Sequence, residues 1–81
     1  MNSTVVLSVG DSYHLGTGKD HIIYAGMPSD KIYSIVQKKW EFFYRGFAWN
    51  LFFPREQSEI RVDGINLLVE KVDPQQIVLR V

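Results

Sequence analysis

His14, Asp20 and His21 are the metal-ligand types in the first third of the chain, and Asp11 would join them if the first two turns converged. The two histidines lie seven residues apart, which matches no zinc-ligand spacing, and no cysteine supplies a thiolate. They read as exposed strand and loop histidines, and no metal or other cofactor is expected. Gly16, Gly18 and Lys19 would present backbone N–H groups to a phosphate if the loop were built for it. A nucleotide-binding P-loop, however, would need its first glycine at Tyr13 and its hydroxyl residue at Asp20. The loop therefore reads as a flexible hairpin tip. The acids Glu56, Glu59, Asp63, Glu70 and Asp73 are scattered along strand edges and turns, and nothing in their spacing pairs two of them for acid–base work.

Gly10, Asp11 and Ser12 follow an apolar strand that begins near Val5. This short stretch resembles the first block of the GDSL, or SGNH, serine hydrolases, and the resemblance implies a nucleophilic role for Ser12. It covers only about eight residues. The family's later glycine, its oxyanion-hole asparagine and its terminal Asp-x-x-His have no counterpart here. A serine nucleophile needs a base in reach, a group that orients the base and donors for the oxyanion. His14 falls on the same side of the strand as Ser12, but nothing supplies the rest, so an ordinary turn and no enzymatic activity are expected. Asn2, Ser3 and Thr4 match a glycosylation sequon, for which the chain shows no secretory leader.

The feature above background is aromatic and basic. Eight of the eleven aromatic residues lie within residues 40–53, interleaved with Arg45 and bordered by Lys38, Lys39 and Arg55. Over residues 31–55 five basic side chains face one acid, Glu41, while both flanking segments are acidic by two. Exposed members of this set would stack on bases and follow phosphates, or would anchor a protein partner. Most of the aromatic mass is needed as core in a domain without disulfides. Tyr44, Arg45, Asn50 and Phe52 are the residues expected outside, with Lys38 and Lys39 beside them, and these six form the candidate partner-binding set.

The framework that carries these groups reads mainly as strands. Val5, Leu7 and Val9 alternate with Thr4, Val6 and Ser8, Gly10-Asp11 supplies a turn, residues 12–15 form a second strand, and residues 21–25 a third that ends at Gly26. Across residues 29–45 the apolar positions Ile32, Ile35, Val36, Trp40 and Phe43 recur at spacings of three and four. That period predicts an amphipathic helix near residues 29–40, with Ser29 as N-cap and an end between Lys39 and Arg45. The competing reading is two strands hinged near Lys38-Lys39, favoured by the β-branched and aromatic composition. Phe47, Trp49, Leu51 and Phe53 alternate as an inward aromatic face stopped by Pro54. Asp63-Gly64 is a two-residue hairpin signal, with a return strand over residues 65–72, then an Asp73-Pro74 turn and a last strand carrying Ile77, Leu79 and Val81. That last strand would suit an exposed edge open to strand addition across a dimer.

The fold class expected is α+β: a small single domain over residues 1–81, a bent antiparallel sheet of six to seven short strands with one helix. An all-β barrel of SH3 or OB type is the alternative. The chain has 81 residues, 46% of them apolar and 22% charged, with zero net charge, which argues against disorder and gives no global field for nucleic acid or an anionic membrane. It lacks a basic leader and any apolar run near the roughly 18 residues of a membrane span, so a cytoplasmic location without membrane partners is expected. The leading functional expectation is a non-enzymatic interaction module, an accessory or structural subunit that binds another protein or itself. The second is a single-stranded nucleic-acid binder that uses the central aromatic and basic segment.

Overall fold

The computed structural model describes residues 3–39 and 47–81, and among them the chain is built of strands alone. In order these are β1 (Thr4–Ser8), β2 (Ser12–His14), β3 (His21–Ser29), β4 (Ile32–Lys39), β5 (Phe47–Pro54), β6 (Glu59–Val62), β7 (Ile65–Val72) and β8 (Gln76–Arg80). They form two antiparallel four-stranded sheets, ordered β1-β8-β7-β6 and β2-β3-β4-β5. The fold is therefore all-β rather than α+β, in eight strands and two sheets instead of one bent sheet with a helix.

The correction falls on residues 29–40. Strand β4 is central in its sheet and pairs with both β3 and β5, so its backbone groups have non-local partners that a helix would forgo. Tyr33 and Ile35 point into the core, whereas Ile32 and Val36 lie on the other, partly covered face. A strand with apolar residues on both faces mixes odd and even positions, so spacings of three and four arise without a helix. Ser29 does accept a local backbone bond, from the N–H of Lys31 at 3.2 Å, but in a two-residue turn, since Ser29 pairs with Ile32. The third strand also continues past Gly26, where a positive φ of 91° and a register shift let the chain bulge instead of stopping. A side chain there would press on Val9, whose Cγ2 lies 3.4 Å from the Cβ position.

The Asp63-Gly64 hairpin forms as the sequence indicates. Val62 pairs with Ile65, and both turn residues have positive φ, 49° and 76°, which is type I′ geometry. Gly64→Ala forces a Cβ into that conformation while meeting nothing closer than the Lys19 Nζ at 3.8 Å, so the cost is backbone strain of about 1–2 kcal/mol. Thermal unfolding should show Tm lowered by roughly 5–10 °C.

Both sheets contribute to one core. Leu7, Ile60, Val62, Leu67, Val69, Ile77 and Leu79 come from the first, and Ile22, Tyr24, Tyr33 and Ile35 from the second. Strand β8 lies between β1 and β7, so its expected role as an exposed edge is overturned: Ile77 and Leu79 are fully buried. Two tyrosines tie the sheets at their rims. Tyr24 donates its hydroxyl to the Asp73 carbonyl at 2.5 Å, and Tyr33 to the Gln57 carbonyl at 2.6 Å, so each buried phenol finds its acceptor in a loop flanking the opposite sheet. Burial pushes both phenols above the usual tyrosine pKa, Tyr33 to about 12. At the opposite end the Asp63 carboxylate accepts the Asp20 N–H at 2.8 Å, which joins two hairpin tips across the sandwich. No described helix is long and apolar enough to cross a membrane.

Candidate functional site

Strand β5 forms one edge of its sheet and pairs along its whole length with β4. Residues 47–54 carry no charge. On the inner face Phe53 lies opposite Tyr33, with ring centroids 5.4 Å apart, and Leu51 opposite Ile35; both are half-buried against the core. Toward the start of the strand the cross-strand partners become Gln37 and Lys39, which are polar, and the core ends. Trp49 is therefore 41% exposed and Phe47 58% exposed, although both share the inward face. On the outer face Ala48 lies opposite Lys38, Asn50 opposite Val36 and Phe52 opposite Ser34, and Phe52 is 60% exposed. The strand thus shows large aromatic surface on both faces beside a sheet edge.

Of the six sequence-derived candidates, Lys38, Asn50 and Phe52 share the outer face of adjoining strands, whereas Lys39 lies on the inner face opposite Phe47; Asn50, Phe52 and Lys39 are exposed and Lys38 is half-covered. Both lysines already take part in interactions within the chain. Tyr44 and Arg45 lie outside the described residues. Arg55 is drawn away to the β3–β4 turn, where its guanidinium donates to the Asp30 carbonyl at 3.2 Å. Sequence reasoning missed Phe47 and Trp49 as surface residues, because alternation reports the face of a strand and not how far the core extends under it. It also missed an open groove of about 690 Å³ on the first sheet, bordered by Gln57, Glu59, Arg61, Asn66, Leu68 and Arg80. Only the exposed alternate positions of β6 and β7 hinted at it.

The groups considered for chemistry are engaged elsewhere. His14 and His21 are cross-strand partners whose rings stack with centroids 4.3 Å apart and planes 13° apart. His14 Nε2 lies 3.1 Å from the Lys19 carbonyl, so the hydrogen bond of this ring runs to the β2–β3 loop. The Asp11 carboxylate takes the N–H of Ser8 at 3.0 Å. Asp20 accepts from the Gln37 amide at 2.7 Å, and no group of three or more metal-ligating side chains converges among the described residues. In the glycine loop Lys19 donates its N–H to Gly16 and Leu15 donates to Asp20, so these amides close the turn and do not open toward an anion. Asp73 is held below its usual carboxylate pKa chiefly by the N–H groups of Gln75 and Gln76, which it binds as a turn former. Comparison with protein-family models, with curated proteins and with solved structures found no match for this chain.

Proposed function

We propose that this chain is a non-enzymatic interaction module that binds a protein partner, another protein or a second copy of itself, through β5. The observation that carries this reading is the joint exposure of Phe47, Trp49 and Phe52 on an uncharged edge strand. Large aromatic side chains are preferred binding anchors, and an open strand edge adds main-chain donors and acceptors to the same surface. Phe52→Lys places a charge on the patch without touching the core. Stability should stay within about 0.5 kcal/mol of the parent, while photo-crosslinking from position 49 should lose the adducts that the parent sequence yields. A probe at Thr4, on the other sheet, serves as the control. Equal adducts from positions 49 and 4, or adducts indifferent to Phe52→Lys, would count against β5 as the surface.

A second reading, single-stranded nucleic-acid binding, is supported by register: Lys39 faces Phe47 on the inner side, which sets a cation beside an exposed aromatic, while Lys38 faces Ala48 on the outer side. The zero net charge weighs against it. Titration with mixed-sequence single-stranded RNA, followed by tryptophan fluorescence at low and near-physiological salt, distinguishes the two. A saturable change that weakens steeply with salt favours nucleic acid, and a flat response at both salts leaves the protein partner.

A further inference from the structure

We infer that the partner of β5 is a second copy of the same strand, paired antiparallel across a two-fold axis at Asn50 to make one continuous eight-stranded sheet from two four-stranded ones. This rests on the reading of β5 as the interaction surface and names its occupant. The other sheet edges among the described residues are short or charged: β2 has three residues, β1 has five, and β6 has four that include Glu59 and Arg61. Those are the devices by which edges avoid pairing. Strand β5 has eight residues, none charged, and only its terminal Pro54 lacks a donor.

The sequence of this edge is complementary to itself. Centred on Asn50, the pairing that keeps all of residues 47–53 opposed sets Phe47 against Phe53, Ala48 against Phe52, Trp49 against Leu51, and Asn50 against its own copy. Aromatic meets aromatic, small meets large, and the polar residue meets itself. Every pair joins positions of the same parity, so inner faces meet inner faces and outer meet outer. The burial pattern is complementary in the same way. Phe47 and Trp49 are the exposed end of the inner face, Leu51 and Phe53 the end that packs on the core, and the antiparallel arrangement lays the exposed pair of each copy beside the core-packed pair of the other. With no charge on residues 47–53, no like charges are set opposite one another in this pairing, and the chain as a whole carries no net charge. A heterologous strand would have to reproduce this order of sizes, whereas a second copy supplies it twice. The exposed fractions of the three aromatics amount to roughly 320 Å² per copy if each ring side chain spans about 200 Å². That is well under the ~800 Å² per partner of a standard stable interface, so the dimer should be reversible, with a Kd in the micromolar range or weaker.

The symmetry axis provides the test. Asn50→Lys and Asn50→Asp each place like charges opposite one another at the axis, on an exposed position that both variants tolerate in the monomer fold. Sedimentation velocity over a concentration series should show a reversible dimer for the parent chain, dimerisation weakened at least about tenfold for either variant alone, and dimer restored in an equimolar mixture of the two. Asn50→Cys adds a background-free readout because the chain has no cysteine: oxidation should give a covalent dimer, and Ala48→Cys, displaced from its own copy, should not. A parent chain that stays monomeric to millimolar concentration, or a dimer untouched by both Asn50 variants, would overturn the inference. Crosslinking from position 49 then separates the two levels. Adducts to a different protein, lost with Phe52→Lys, would leave β5 as the surface and remove only the second copy as its occupant.

Discussion

Leu79→Ala is expected to cost about 3 kcal/mol of folding stability, a large share of the roughly 4–12 kcal/mol typical of a chain this size. Leu79 is fully buried on β8, between Val5 on β1 and Val69 on β7, and faces the second sheet. Both sheets converge on this side chain, so truncation leaves a cavity that neither can close without moving the other. The matched control is Val78→Ala, one residue earlier on the outer face and only half-buried, which should cost less than about 1 kcal/mol. Urea denaturation of the three proteins, with an unchanged m-value, measures both figures. Equal costs at positions 78 and 79 would mean that the faces of β8 are assigned one residue out of register.

The second large effect is alkaline. Burial pushes the Tyr33 phenol to about 12 in the fold, against an ordinary value near 10.0. The unfolded chain therefore gives up this proton at lower pH than the native protein does. The stabilisation linked to Tyr33 is complete below pH 10 and is lost as pH rises through about 12, a total of about 2–3 kcal/mol. Tyr24, raised first by burial and then by the nearby Asp73 carboxylate, acts in the same direction. The hydroxyl of Tyr33 donates to the Gln57 carbonyl, so ionisation removes a donor as well as burying a charge. Tyr33→Phe should cost about 1 kcal/mol at neutral pH and should flatten the loss of stability between pH 10 and 12. Denaturation at a series of pH values, with titration of the phenolate absorbance, checks both. A steep alkaline loss that survives in Tyr33→Phe would assign it to other groups.

The candidate site was only partly legible in the residues. Alternation placed Asn50 and Phe52 on the face opposite Leu51 and Phe53, and they are exposed. The same alternation grouped Phe47 and Trp49 with the core, yet they extend beyond it, because the length of core beneath β5 is set by where Tyr33 and Ile35 give way to Gln37 and Lys39 on β4. No residue within β5 carries that information. The clustering of basic residues was legible as composition, but Arg55 turns to Asp30 and the β3–β4 hairpin, which only the pairing of Ile32 with Pro54 brings near.

The features legible in the residues alone are those decided within a few positions of one another. The Asp63-Gly64 turn follows from two positions that tolerate positive φ, the β7 span follows from the apolar pattern that succeeds it, and the Asp73-Pro74 turn follows from a carboxylate that binds the N–H groups two and three residues on. That residues 32–39 are strand, that β8 is central and that the strands divide into two sheets are settled by long-range pairing. Each of these depends on partners remote in the chain: Thr4 with Arg80, Lys39 with Phe47, Tyr33 with the loop at Gln57. A segment with apolar residues at spacings both of two and of three to four is satisfied locally by either helix or strand. The backbone hydrogen bonds and the buried area that choose between them exist only once the distant strands have closed on both sides.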